Sequence, residues 1–254
     1  MAEVPGTLEG WNVLHDFRRI DWTGLKSLSA DERSPITDEA AAYLAETEIC
    51  ADPPTGDSAL FTVVGHKADL LMLHLRPTVA ELAEIEQGFG KTRFADFTSR
   101  PYSYLSVTEL SLYEASARGG SENEEELRKN AFVQKRLYPE FPLMKYVCFY
   151  PMNKLRGETV NWYTEDMEER RRMMREHGST GRKYHGQVQQ MITGSMGLDD
   201  WEWGVTLFAD DTLPIKKLVY EMRFDEVSAK YGEFGPFYMG IRTTPDELRA
   251  LLMG

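Results

Sequence analysis

The chain has 254 residues, 42% hydrophobic and 28% charged, enough apolar material to bury the core of one large domain or two modest ones. A formal net charge of −12 repels polyanions and excludes nucleic acid as a general partner, whereas a small anionic ligand needs only a few well-placed cations. No run approaches the ~18–20 uncharged apolar residues of a membrane span, the opening MAEVPGTLEGWNVL lacks a signal peptide's basic start and apolar core, and the two cysteines, Cys50 and Cys148, show no metal-ligand spacing, so a reducing cytoplasm is expected.

Residues 11–17 alternate apolar and polar side chains, as a half-buried strand does, and a helix over 37–46 follows, opened by Thr37 and Asp38. Residues 59–65 and 69–75 read as strands around a short turn. Pro77 and Thr78 then start a helix reaching Gly88, and a strand covers 102–113. The order returns further on: a strand at 144–150, a helix over 164–177 ended by Gly178, and strands at 187–193 and 203–208 around Gly194-Ser195-Met196-Gly197. A helix over 213–230, a strand at 237–241 and a terminal helix from Thr244 complete it. Both halves read β-α-β-β-α-β, the ferredoxin-like order. The expected fold is α+β: two fused ferredoxin-like repeats forming a dimeric α+β barrel within one chain. The expected division is an N-terminal half, 1–114, a charged connector, 115–143, and a C-terminal half, 144–254. The connector's acidic, Gly/Ser-rich start reads as a mobile loop.

The C-terminal half holds the denser set of reactive groups. His177 ends a helix with acids in its first turn and bases toward its end; it is either a residue that suits the helix dipole or an axial ligand to iron. Tyr150, in Tyr150-Pro151-Met152-Asn153-Lys154, sits where an apolar strand leaves the core. A phenol with a pKa of ~10 donates a hydrogen bond and can give up an electron with its proton. Lys154 is a candidate partner for a carboxylate; the alternative is a strand-end tyrosine beside a solvated lysine. Gln190 lies on an alternating strand, either as an amide satisfied by its neighbours or as a neutral group over a metal. Arg136 and Arg182 are candidate carboxylate clamps, and Trp162, Trp201 and Trp203 serve equally as core or pocket wall. There is no G-x-S-x-G, Walker loop, H-E-x-x-H or paired C-x-x-C.

Taken in order, Tyr150-Pro151-Met152-Asn153-Lys154, Glu176-His177-Gly178, Gly194-Ser195-Met196-Gly197-Leu198-Asp199-Asp200-Trp201-Glu202-Trp203-Gly204 and the stretch from Met222 to Phe237 closely resemble the chlorite-dismutase-like family. They are most similar to its coproheme decarboxylase branch from Gram-positive bacteria. The resemblance runs over nearly the whole chain and is most specific between Arg136 and Phe237. It implies a porphyrin pocket in the C-terminal half, a homopentamer, and peroxide-dependent oxidative decarboxylation of two propionates of Fe-coproporphyrin III (coproheme) to vinyls, giving haem b. Coproheme would be both substrate and redox centre, with hydrogen peroxide as oxidant. A transient contact with a ferrochelatase-type enzyme of the same pathway is a further implication. By the same resemblance His177 is the proximal iron ligand, Tyr150 the redox-active residue and Lys154 its neighbour at the reacting propionate. Arg136 and Ser228 match propionate-holding positions, and Met152, Arg182 and Trp201 match pocket positions. Chlorite-degrading relatives carry an arginine where Gln190 stands, and an amide does not comparably stabilise a chlorine oxyanion. The competing expectations are a haem peroxidase or chlorite-degrading enzyme, a non-catalytic haem carrier, and a haem-free oligomeric scaffold.

Overall fold

The computed structural model describes residues 4–48, 55–121 and 123–254; Cys50 and Glu122 lie outside them. The first repeat runs β1 (Thr7–Ile20), α1 (Trp22–Ser27), α2 (Ala30–Glu48), β2 (Asp57–Val64), β3 (Leu70–Arg76), α3 (Val79–Gly90) and β4 (Thr98–Ser111). Three short helices follow: α4 (Leu112–Gly119), α5 (Glu124–Lys129) and α6 (Ala131–Leu137). The second repeat runs β5 (Tyr146–Lys154), α7 (Met167–Arg182), β6 (Gln189–Gly194), β7 (Trp203–Ala209), α8 (Thr212–Met222), α9 (Glu226–Tyr231) and β8 (Gly232–Phe234). Then β9 (Tyr238–Arg242) and α10 (Pro245–Met253) close the chain. This is an α+β fold with antiparallel sheets and a duplicated β-α-β-β-α-β order.

Two compact units emerge. The first, residues 10–107, 138–141 and 238–254, contains the sheet order β4-β1-β3-β2-β9. Its helix-facing core joins Leu60, Leu70 and Met72 to Ala40 and Leu44 of α2, Phe89 of α3, and Leu248 and Leu252 of α10. The second, residues 1–9, 108–137 and 142–237, contains β6-β7-β5-β8, antiparallel throughout. The strand expected at 237–241 therefore lies in the first unit as β9, paired with β2, and the short β8 pairs with β5 in the second.

Four expectations are corrected. The helix expected over 164–177 runs through Gly178 to Arg182 as α7, because Gly178 does not take the left-handed conformation of a helix cap. Helix α2 begins at Ala30, seven residues before Thr37, because Ser29 and Glu32 exchange hydrogen bonds as a capping box. The single helix expected over 213–230 is two, because Asp225 turns its carboxylate onto the backbone N–H of Ser228 at 2.9 Å and starts α9 afresh. The connector does not begin as a loop. Ser111 and Asn123 cap helices α4 and α5, and Glu124–Arg128 and Glu125–Lys129 pair one turn apart along α5.

Candidate functional site

The candidate site residues all fall in the second unit, and strand register explains how four of them share a face. Directly opposed residues in an antiparallel pair project to the same side, as do alternate residues along a strand. Gln190 opposes Leu207, which opposes Cys148; Ile192, Val205 and Tyr150 form the next row; Gly194, Trp203, Met152 and Phe234 form a third; Lys154 opposes Gly232. Gln190, Tyr150, Met152 and Lys154 thus lie on one side of one sheet. Tyr150, Cys148 and Leu207 are buried, Met152, Ile192 and Trp203 are half-buried, and Gln190 is exposed. Exposure on this face is greatest at Gln190 of β6 and least at Tyr150 and Lys154 of β5.

Tyr150 stacks on Phe237 with ring centroids 4.3 Å apart and meets Phe234 at 5.9 Å. Burial foremost, and the nearby Cys148, raise its phenol above the ordinary range, opposed by the charge of Arg223. Its hydroxyl finds no hydrogen-bond partner among the described residues. Lys154 is 8% exposed, with Nζ 5.2 Å from the centre of the Trp162 ring. Burial pulls its ammonium down to about 8, against the opposing pull of Asp225 and Glu202.

His177 projects from the last turns of α7, a helix that Asp166 caps through the N–H of Glu168. Its Nδ1 lies 2.9 Å from Asp225 Oδ2 and 3.3 Å from Ser228 Oγ. The Asp225 carboxylate is almost fully buried; burial alone would raise it, yet bonds from His177 and Ser228 hold it below its usual range. Nδ1 being engaged, Nε2 is the nitrogen left for a ligand, and the ring is a quarter exposed. An imidazole bonded behind to a carboxylate is the arrangement metal-ligating histidines adopt. Among the described residues no group of three metal-binding side chains converges.

The other candidates are placed less uniformly. Ser228 stands with His177 and Asp225. Arg182 folds back along α7, its Nη1 3.5 Å from where a Cβ on Gly178 would stand, one residue past His177. Arg136 is half-buried at the end of α6, which is tied to β4 by a 2.6 Å bond from Thr108 Oγ1 to the Leu137 carbonyl. Arg136 is not brought into the row of Gln190, Tyr150, Met152 and Lys154, which the sheet register alone defines. Trp201 is not brought into it either: its ring packs against Gly235 beside Pro151, where an added Cβ would meet it at 2.9 Å. Three neighbours were not foreseen. Asp225 and Glu202 flank Lys154 electrostatically, and the Arg223 guanidinium lies 3.6 Å over the Phe234 ring. Asp225 had a local signal, since it precedes Ser228 by the spacing of a helix cap.

A family model described as Chlorite dismutase matches residues 33–243. A protein of Haloquadratum walsbyi whose heme-binding description is provisional is 51% identical over 258 residues, covering 100% of this chain but 48% of its own length. The chain therefore spans about half the length of that curated relative. Among solved structures, a heme-binding protein from Thermus thermophilus superposes with a TM-score of 0.91 at 45% identity, covering 99% of this chain and 98% of that one. A chlorite dismutase variant from Candidatus Nitrospira defluvii gives 0.76 at 18% identity, over 97% and 96% of the two chains, a likeness of fold. Among the described residues no helix is long and apolar enough to cross a membrane.

Proposed function

Because this chain belongs to the chlorite dismutase family, we propose that it binds an iron porphyrin against the sheet face of its second unit that carries Gln190, Tyr150, Met152 and Lys154, and acts as a peroxide-dependent coproheme decarboxylase. The observation that carries the reading is the His177–Asp225 pair, which leaves Nε2 for iron and fixes the tautomer that ligates. The heme-binding descriptions of its relatives support the porphyrin.

The bound iron porphyrin supplies the redox chemistry, and the chain supplies position and charge. The buried Lys154 ammonium meets the carboxylate of the reacting propionate in surroundings where a charged hydrogen bond is strong. Tyr150, on the same face with an unengaged hydroxyl, would give its proton and one electron to the peroxide-derived oxidant and take a hydrogen atom from that propionate, whose second electron would follow to the same oxidant. Met152 and Trp203 would line the macrocycle, and Arg136, Arg182 and Ser228 would hold the propionates that do not react. Gln190 hydrogen-bonds peroxide as a neutral amide. Per turnover, one propionate loses a hydrogen and carbon dioxide and becomes a vinyl; one peroxide takes up two electrons and, with one proton added, leaves as two waters. Two turnovers give haem b.

The test is a titration with iron coproporphyrin III. It should give an imidazole-ligated absorption band that His177→Ala abolishes. Added peroxide should then remove the mass of two carbon dioxides, and Tyr150→Phe should prevent this. An unchanged porphyrin mass defeats decarboxylation. Rapid chlorite turnover with coproheme intact would point to a chlorite-degrading enzyme, and binding with neither reaction to a haem carrier.

A further inference from the structure

Lys154 closes β5, and a carboxylate from outside the strand, Glu202, is bonded to its backbone. The backbone N–H of Lys154 donates to Glu202 Oε2 at 2.9 Å, and the backbone N–H of Glu202 donates to Asn153 Oδ1 at 2.9 Å. The two segments clamp each other reciprocally. The clamp is itself tied down: Ser195 N–H donates to the Glu202 carbonyl at 2.9 Å and Ser195 Oγ to the Trp201 carbonyl at 2.6 Å. The Glu202 side chain is 9% exposed, and its ion pair with Arg156 Nε at 3.6 Å reaches a side chain that is 66% exposed. A carboxylate held this deep is costly unless hydrogen bonds and a nearby cation offset its desolvation.

Two anions bear on the Lys154 ammonium, Glu202 and Asp225. Asp225 is already committed, bonded to His177 and Ser228. Glu202 is bonded to the Lys154 backbone itself, so its charge travels with the strand end. We propose that Glu202 is a positioning residue that anchors the end of β5 and keeps Lys154 charged on the porphyrin face. This rests on the reading of Lys154 as the partner of a propionate. The burial that lowers the Lys154 ammonium to about 8 makes an opposing anion matter at neutral pH. The other charged or titratable groups around the pair are Arg156, Tyr163, whose phenol burial and Glu202 together push up, and Tyr231 with Glu165 and Lys230 beyond Trp162.

The experiment needs no porphyrin. In protein labelled with 13C-lysine, the Lys154 side-chain resonance, assigned through Lys154→Arg, is titrated in the full chain. Glu202→Gln keeps an oxygen acceptor for the Lys154 N–H but removes the charge; it should lower the Lys154 midpoint by about one pH unit and leave amide-exchange protection at Lys154 unchanged. Glu202→Asp keeps the charge but shortens the reach; it should hold the midpoint and speed Lys154 amide exchange about ten-fold. Activity should follow the first variant's midpoint, its alkaline limb moving down by the same amount. A midpoint that stays put in folded Glu202→Gln overturns the proposal, as does an equal shift in both variants. Failure of the decarboxylase reading would show separately, as wild-type protein that leaves the coproheme mass unchanged.

Discussion

In the first unit the helix-facing side of the sheet is filled by its own residues. Asp16, 1% exposed, receives Arg18 through two bonds of 2.8 and 2.7 Å, and Arg100 adds a third contact at 3.3 Å while reaching Glu86 at 2.6 Å. Tyr43 donates to the Ile85 carbonyl at 2.6 Å, Arg18 lies over Phe89, and the gap between Leu14, His74 and α3 leaves no room for a water molecule. In the second unit the helix-facing side keeps groups that are not finished. A buried ammonium over an indole, a phenol without a hydrogen-bond partner among the described residues and an imidazole with one nitrogen to spare all belong to it. One strand order therefore supports either a side whose buried polar groups are paired within the chain or one that leaves some of them unengaged.

Breaking the closed side should be costly and functionally silent. Asp16→Ala leaves Arg18, with a side chain 9% exposed, without its main counter-charge. Removing one partner of a buried pair costs about 3–5 kcal/mol, to be read as a lower denaturant midpoint. Porphyrin affinity should change less than about two-fold, within what additive, uncoupled sites show. A parallel loss of affinity would mean that the two faces are coupled.

Acid should separate the units next. His15 and His74 are both fully buried in the first unit, and burial lowers each to about 3. The folded rings stay neutral, so below pH 6.5 the unfolded chain binds more protons than the folded one. Stability is complete above pH 6.5 and is lost as the pH falls toward 3. Between about pH 6.5 and 5 the loss is about 2 kcal/mol per ring. Urea midpoints at these two pH values measure it, and His74→Phe should halve the difference. Equal stability at both would show that neither ring is held neutral.

A smaller effect belongs to the unengaged side. Asp225→Asn keeps the shape of the carboxylate but takes away the charge that fixes His177, and metal affinity should fall about 10–100-fold, as it does when such outer partners are lost. Titrating both proteins with iron coproporphyrin III checks this, with far-UV dichroism to confirm that α9, which Asp225 also caps, is intact.

These contrasts were unevenly legible beforehand. The duplicated element order shows in the alternation at residues 11–17 and in the Pro77-Thr78 helix start, because periodicity and caps are local signals. The candidates Tyr150, Lys154 and His177 rest on short contiguous motifs. Pairing is not local: nothing in 238–242 announces β2 as its neighbour, some 180 residues earlier in the chain, and nothing links His177 to Asp225 across a separation of 48. Asp225 was also hidden inside what reads as one helix. The strand expected at 102–113 masked the cap at Ser111, and the Gly/Ser-rich start of the connector masked the one at Asn123. Which face carries the candidates could not be read at all, because it depends on strand register, and a shift of one residue would send Tyr150 to the other side.

Register also sets the finest contrast. In the first unit, Ser58 of β2 opposes His74 and bonds its Nδ1 at 2.8 Å while accepting from Arg76 at 3.1 Å. In the second, Gln190 of β6 opposes Leu207, is exposed, and has no side-chain hydrogen bond among the described residues. Ser58→Ala orphans a buried imidazole nitrogen and should cost about 1–3 kcal/mol. Gln190→Ala removes an amide that nothing among the described residues holds, so stability should stay within about 0.5 kcal/mol. If that amide orients peroxide, the variant should bind iron coproporphyrin III as before but release fewer carbon dioxides per peroxide consumed. Unchanged yield in Gln190→Ala would place peroxide elsewhere on the face, and a stability loss matching that of Ser58→Ala would mean that the second unit is closed after all.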